Sequence, residues 1–228
     1  MFLIDLLFPK ICLGCGFLGD HICFGCQKKI VLINQDICFY CYKGSILGLT
    51  HLFCERKNQL DGCLSFFYYN QVLKKILKNI KYRLVKEAFN TLLSFIGQNQ
   101  TTKKIKLLLK NKKFYLQPIP LTVGKNKERG FNQAEVFTNH LSSLFGLVIT
   151  DFLIRKKEKP PQAQIKKRKD RALNVAGVFD TKNKKEIKGK NLILVDDVAT
   201  TGATLKEAAR VLKKQGAERV FAITIAKG

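Results

Sequence analysis

From Gly189 to Gly228 the chain reads GKNLILVDDVATTGATLKEAARVLKKQGAERVFAITIAKG. Leu192 to Val195 is a short continuous apolar run between polar residues, the pattern of a strand buried on both faces. Leu205, Ala208, Ala209 and Leu212 recur at the spacing of one helix face. Gly216 suits the turn that ends that helix, and Arg219 to Ala226 is a second apolar strand. Strand, helix and strand joined this tightly predict a parallel crossover unit. Strands and helices also alternate upstream, so the predicted fold is α/β, a parallel sheet flanked by helices. Ligands of such sheets bind at the carboxyl ends of the strands. That places the expected site where the Leu192–Val195 run stops, at Asp196, Asp197 and the turn from Ala199 to Thr204.

Those residue types suggest a particular ligand. A helix that begins in the turn presents free backbone N–H groups and the positive end of its dipole, which favour a phosphate. Thr200, Thr201 and Thr204 add hydroxyl donors, and Gly202 lets the backbone wrap closely. Ionised carboxylates only accept hydrogen bonds, so an adjacent pair suits a vicinal diol. Phosphate on one side and diol on the other describe a ribose 5-phosphate. An apolar strand ending in two acids also resembles a Walker B element, but no G-x-x-x-x-G-K-[ST] lies upstream, and no G-x-G-x-x-G opens a helix.

The other end of the chain carries all eight cysteines, from Cys12 to Cys63. Asp5 and Pro9 interrupt the apolar start, which argues against a signal peptide, and no run reaches the ~18 apolar residues of a membrane span. The expected location is therefore a reducing cytoplasm, where clustered cysteines point to metal rather than to disulfides. Cys12, Cys15, Cys23 and Cys26 form C-x2-C-x7-C-x2-C, two knuckles that can close a tetrahedral, structural zinc site. Cys38, Cys41 and Cys54 give a second set without a closing knuckle, since Lys57 stands where a fourth cysteine would be. Either Cys63 or His51 completes it, or it is degenerate and Cys63 is a strand residue of CLSFFYY. His21 and His140 have no ligand spacing.

Between the two ends, CLSFFYYN reads as a strand, and Val72, Leu73, Ile76, Leu77 and Ile80 as a helix followed by IKYRL. KFYLQPIPL reads as a strand stopped by prolines, and GKNKERG as a basic loop. A helix is predicted from Gln133, capped by Asn132 and Glu135. GLVITDFLIR reads as a strand, and the segment KKEKPPQAQIKKRKDRALN as a long loop. There are 41 basic and 17 acidic residues, a formal charge of +24. That excess predicts a polyanionic partner: nucleic acid, phosphorylated metabolites or an acidic membrane surface. The competing explanation is a lysine-rich coding bias.

LILVDDVATTGATL is similar to the phosphoribosyl diphosphate (PRPP) motif of type I phosphoribosyltransferases. LLFPKICLGCG, IKYR, PIPL, RGFNQAE, PPQ and RALNVAGVF, in that order, resemble the ComF family. Its members join a cysteine-rich zinc ribbon to a phosphoribosyltransferase-like domain, here residues 1–63 and 64–228. The resemblance implies a role in natural DNA uptake, handling incoming single-stranded DNA or its nucleotides, with proteins of the uptake machinery as candidate partners. It gives Asp196 and Asp197 the ribose hydroxyls and any catalytic role, and gives Thr200, Thr201, Gly202, Ala203 and Thr204 the 5-phosphate. The PIPL loop with Lys81 and Arg129 becomes the pyrophosphate region, with Mg2+ accompanying PRPP. Lys159 departs from the family's mobile loop, where threonine is usual. Two functions follow: a PRPP-binding protein of DNA uptake, or an active phosphoribosyltransferase of nucleobase salvage with an unknown acceptor. A PRPP-sensing transcription regulator is disfavoured, because no helix-turn-helix segment is evident.

Overall fold

The computed structural model describes residues 9–83, 86–97, 99–156 and 175–228. The KPPQ segment, with Lys159 and the basic run Lys166 to Lys169, lies outside the described residues. The main sheet contains β1 (Gly62–Tyr68), β2 (Phe114–Pro118), β3 (Val148–Ile149), β6 (Asn191–Ala199) and β7 (Arg219–Lys227). They lie in the order β1-β7-β6-β2-β3, and every neighbouring pair is parallel. Among the described residues, the helices beyond the cysteine-rich segment are α1 (Gln71–Arg83), α2 (Lys86–Ser94), α3 (Gln100–Leu109), α4 (Val123–Arg129), α5 (Gln133–Phe145), α6 (Lys184–Ile187) and α7 (Ala203–Lys214).

Period-two alternation on the central strands divides the core into two layers. Ile193 and Val195 of β6, with Phe221, Ile223 and Ile225 of β7, face a layer filled by Leu73, Ile76, Leu77 and Ile80 of α1, Phe89 and Leu92 of α2, and Phe137 and Leu141 of α5. Leu192 and Leu194, with Val220 and Ala222, face the other layer, where α7 inserts Leu205, Ala208, Ala209 and Leu212. The parallel sheet flanked by helices is thus as the sequence predicts.

Several expectations change in detail. Ile80 is fully buried, so the apolar stripe of α1 continues through IKYR, and Lys81 belongs to its last turn rather than to a following segment. The predicted loop GKNKERG contains α4. GLVITDFLIR divides into β3 and β4 (Leu153–Arg155), and β4 pairs antiparallel with β5 (Phe179–Thr181) in a separate two-stranded sheet. α5 starts as predicted: Asn132 Oδ1 accepts from the Ala134 N–H at 3.0 Å. Glu135, however, accepts from the Asn132 side-chain amide at 3.1 Å rather than from backbone.

The cysteine-rich segment packs on this body. Cys12, Leu13, Ile22 and Cys26 are part of the first core layer. Residues around Leu32 extend the free edge of β1 through an antiparallel bridge to Phe67, which covers an edge that would otherwise invite strand pairing. The Asn79 side-chain amide of α1 donates to the Leu13 carbonyl at 2.7 Å, and Lys104 of α3 pairs with Asp36 at 2.7 Å.

Candidate functional site

The ladder between β2 and β6 ends at Pro118 and Val195, whereas β6 remains paired with β7 as far as Ala199. From β2 the chain crosses through α5 in one layer, and from β6 through α7, whose inner face fills the other. Adjacent strands whose crossovers leave on opposite faces open a crevice at their carboxyl ends. Asp196 and Asp197 stand there, still within the β6 strand rather than beyond it. A cavity of about 140 Å3 is lined there by Leu121, Arg129, Asn132, Gln133, Arg155, Asp196, Asp197 and Thr204, among others.

Lys81, carried in by the end of α1, forms an ion pair with Asp197, which is only 8% exposed. Burial opposes the Lys81 ammonium, but the Asp197 carboxylate outweighs it and holds the lysine above its ordinary range. Among the described residues Asp196 forms no ion pair of its own, although the nearby Lys81 charge acts on it too. Burial, reinforced by the neighbouring Asp197 charge, pushes its carboxyl up to about 8. Its Oδ1 accepts from the Asp197 N–H at 2.9 Å.

The chain then turns through Thr200 and Thr201 to Gly202, the left-handed N-cap of α7 with φ 68°. Gly202 has no side chain to cap the helix, and the only side-chain acceptor near its start is Thr201 Oγ1, 3.4 Å from the Ala203 N–H among the described residues. The first N–H groups of α7 are therefore available to an anion. The structure thus places Asp196, Asp197, Thr204, Arg129 and Lys81 around one crevice, with Thr200, Thr201, Gly202 and Ala203 on the loop that leaves it.

Two crevice residues went unmarked by sequence reasoning. Arg155 arrives on β4, in a segment that reads as ordinary strand. Gln133, the first residue of α5, is 2% exposed, and its Nε2 has no hydrogen-bond partner among the described residues. A buried amide in RGFNQ, placed at a helix start beside the expected pyrophosphate region, was the available signal.

The cysteines form two clusters and no disulfide. The sulfurs of Cys12, Cys15, Cys23 and Cys26 all lie within 4.8 Å of one another. A Cβ on Gly14 would stand 2.7 Å from the Cys26 sulfur, so the knuckle closes only over glycine. In the second cluster Cys38, Cys41 and Cys54 converge with His51, again within 4.8 Å, and His51 Nδ1 is 3.2 Å from the Cys41 sulfur. His51 Nε2 lies 3.0 Å from the Gly44 carbonyl. A carbonyl can only accept, so the proton is on Nε2 and the Nδ1 lone pair points to the cluster, the usual arrangement for a metal-bound imidazole.

The first cysteine of each set is prepared alike. Burial raises Cys12 and Cys38, but converging backbone N–H groups more than offset it and bring both down to about 6. Both donor sets, one of four thiolates and one of three thiolates with an imidazole, fit tetrahedral structural zinc. Cys63 is a buried strand residue of β1, pushed up to about 11 by burial, and takes no part. Of the two candidates for the fourth donor, His51 is the one placed there.

Fold and site together define a phosphoribosyltransferase-type domain. Residues 132–228 match the family model described as phosphoribosyl transferase domain. The chain is 34% identical over 204 residues to competence protein ComFC of Bacillus subtilis, covering 86% of this chain and 80% of that one. It is 26% identical over 208 residues to competence protein F of Haemophilus influenzae, covering 88% of each. A shorter match, 50% over 36 residues, links 16% of this chain to 13% of a ribose-phosphate pyrophosphokinase of Pyrococcus furiosus. The chain belongs to the ComF family. No helix among the described residues is long and apolar enough to cross a membrane.

Proposed function

We propose that this protein binds PRPP together with Mg2+ in the β2/β6 crevice and serves natural competence, handling incoming single-stranded DNA or its nucleotides in the cytoplasm. The observation that carries the reading is the carboxylate pair in the crevice, leading through a glycine turn to a helix start without a side-chain cap. Asp196 and Asp197 accept from the ribose 2- and 3-hydroxyls. Thr200, Thr201, Gly202, Ala203 and Thr204 hold the 5-phosphate, and Lys81 and Arg129 face the pyrophosphate. Bound Mg2+ supplies positive charge to the pyrophosphate and ribose oxygens. The names of the relatives matched along most of the chain support the competence role, and contact with uptake-machinery proteins belongs to the same proposal. So does the division into a zinc-ribbon module over residues 1–63 and a phosphoribosyltransferase-like domain over 64–228.

The combined variant Asp196→Ala with Asp197→Ala tests the site. Hydrogen bonds to charged groups contribute roughly 1.5–3 kcal/mol each, so calorimetry is expected to show PRPP·Mg2+ affinity falling at least about tenfold. Unchanged affinity would place the ligand elsewhere.

A pH effect follows from Asp196. Its carboxyl titrates near 8 in the free protein, so at pH 7 it mostly retains its proton. Diol hydroxyls and an arriving cation favour the ionised form, which lowers the value on binding. Binding at pH 7 is therefore expected to release a proton, with the release fading above pH 8, where the free carboxylate is already ionised. Calorimetry in two buffers of different ionisation enthalpy measures it, and heats that do not depend on the buffer at pH 7 contradict it.

A second reading, active transfer to a nucleobase, draws on the same residue. A carboxyl that titrates near neutrality can exchange protons with a reacting group. Pyrophosphate release from PRPP, screened across nucleobases, separates a transferase from a binding protein.

For DNA, exposed Lys74, Lys75 and Lys78 on α1 and Lys103 and Lys106 on α3 support binding that weakens steeply with salt. Among the ribbon aromatics, Phe24 is 69% exposed and open to base stacking, whereas Phe39 is buried at 3% and unavailable. Reversing the charge of Lys74, Lys75 and Lys78, or of Lys166 to Lys169, is expected to weaken single-stranded DNA binding severalfold and to flatten its salt dependence. Equal binding of single- and double-stranded DNA, untouched by both variants, defeats the DNA reading.

A further inference from the structure

Phe24 and Phe39 occupy the same place in their knuckles, each directly after the first cysteine of a C-x2-C: Cys23-Phe24-Gly25-Cys26 and Cys38-Phe39-Tyr40-Cys41. Their environments are opposite. Phe24 lies on the surface, with only Lys28 over its ring at 4.3 Å among the described residues. Phe39 is buried in the second core layer with Ala199 and Leu205, and its ring tip abuts Gly202: a Cβ built on that glycine would overlap the ring. Tyr40 meets the Phe39 ring edge-on at 6.3 Å, and the Tyr40 hydroxyl accepts from the Leu60 N–H at 3.0 Å. Lys206, in the first turn of α7, lies over both rings at 5.3 and 4.9 Å. The second cysteine–histidine cluster is therefore built directly behind the loop that starts α7.

The position of Phe39 depends on the knuckle that carries it. Among the described residues, the knuckle is held by local backbone bonds, Cys38 N–H to Lys43 O at 2.8 Å and Tyr42 N–H to Cys38 O at 3.0 Å, and by the convergence of Cys38, Cys41, His51 and Cys54. A bound ion fixes four donors at once and with them the backbone between Cys38 and Cys41. Without it, the four donors that converge there have no common partner. Gly202 in turn has a left-handed backbone that no side chain braces from its own position.

We propose that zinc at the Cys38–Cys41–His51–Cys54 cluster and the phosphate group of a ligand at the β6–α7 loop are thermodynamically coupled through Phe39, a positioning residue that braces Gly202. Filling either site favours filling the other, and by linkage the two effects are equal. The inference rests on the reading that this loop holds the 5-phosphate of PRPP. The Cys12–Cys15–Cys23–Cys26 cluster takes no part in this coupling, since its knuckle phenylalanine faces solvent.

The test uses the full-length, zinc-loaded chain and compares wild type, Phe39→Leu and Phe24→Leu. Zinc affinity is measured by equilibrium partition against a buffered chelator, with and without PRPP·Mg2+, and PRPP·Mg2+ affinity by calorimetry. Wild type is expected to hold one of two zinc ions about fivefold or more tightly when PRPP is present, the lower end of common coupling strengths. Phe39→Leu should lose most of that linkage and weaken PRPP by a similar factor, while Phe24→Leu matches wild type. Hydrogen exchange at residues 200–204 provides a readout that needs no PRPP: His51→Ala is expected to accelerate it, and Phe24→Leu is not. Should wild type bind no PRPP, the PRPP reading fails, and hydrogen exchange alone still decides whether cluster and loop are coupled. PRPP binding that leaves both zinc affinities unchanged, or loop exchange indifferent to His51→Ala, overturns the coupling.

Discussion

Cys26→Ser is expected to lose one of two bound zinc ions and to lower the unfolding temperature by about 10 °C or more. Cys26 is 4% exposed and sits in the main core layer beside Cys12, Leu13 and Ile22, so the cluster forms part of the wall against which α1 packs. Structural zinc contributes its binding free energy directly to folding, about 10–16 kcal/mol in isolated zinc-finger peptides. Here the surrounding core stands in for part of that. If only about 3–5 kcal/mol were lost, a chain of this size would unfold roughly 10 °C earlier, at about 2–4 °C per kcal/mol. The comparison is Cys63→Ser, the same change at a buried thiol of β1 outside both clusters. It should retain both zinc ions and lose less stability. Metal analysis and thermal unfolding followed by circular dichroism measure both quantities. A Cys26→Ser protein with two zinc ions and the wild-type transition would show that this cluster is not structural.

The sequence makes local features of this site legible and long-range ones not. Leu192 to Val195 and the Leu205, Ala208, Ala209, Leu212 stripe are short-range patterns, and both are fully or almost fully buried. The first zinc cluster is equally local, because two C-x2-C turns are nearly a complete specification of a tetrahedron. His51 is harder to assign. It stands just before Cys54, but a loop separates it from Cys38 and Cys41, and only the folded chain shows that its Nδ1 meets the Cys41 sulfur while Nε2 is anchored on Gly44. The resemblance brought Lys81 to the site, but its placement opposite Asp197 depends on α1 running through Arg83, which the buried Ile80 signals better than the IKYR motif does. α4 escaped because its basic residues show no apolar period. Arg155 and Gln133 escaped because nothing in a strand-end arginine or a helix-start glutamine says that a crevice will open beside it. The contact between Phe39 and Gly202 joins the two ends of the chain, and no pattern within either end encodes it.

Gly202→Ala is expected to weaken PRPP·Mg2+ binding at least about tenfold, more than any other single substitution in the loop, for two independent reasons. The first is backbone strain. Gly202 has φ 68°, and a residue with a Cβ in the left-handed region loses about 1–2 kcal/mol. The second is steric. The new methyl would overlap the Phe39 ring, and the buried ring, enclosed by Tyr40, Lys206 and Lys227, cannot swing aside without disturbing the second knuckle. The loop must move instead, carrying with it Ala203 and Thr204, whose N–H groups and hydroxyl face the phosphate in the proposed mode. Gly216→Ala separates these causes. Gly216 also has a positive φ, 90°, but the nearest atom to a Cβ there is Lys188 Cγ at 3.4 Å, and it follows the far end of α7. It should lose stability from the strained backbone and leave PRPP affinity unchanged. Combining Gly202→Ala with Phe39→Ala removes the overlap but retains the strain, so the double variant should recover part of the lost affinity only if the loop tolerates losing its brace. Under the coupling proposed above, Phe39→Ala alone already weakens binding, and the double variant remains below wild type. Calorimetry of the four proteins with PRPP·Mg2+, alongside their thermal unfolding, measures these effects. Gly202→Ala with wild-type affinity would mean that the α7 start does not hold the phosphate.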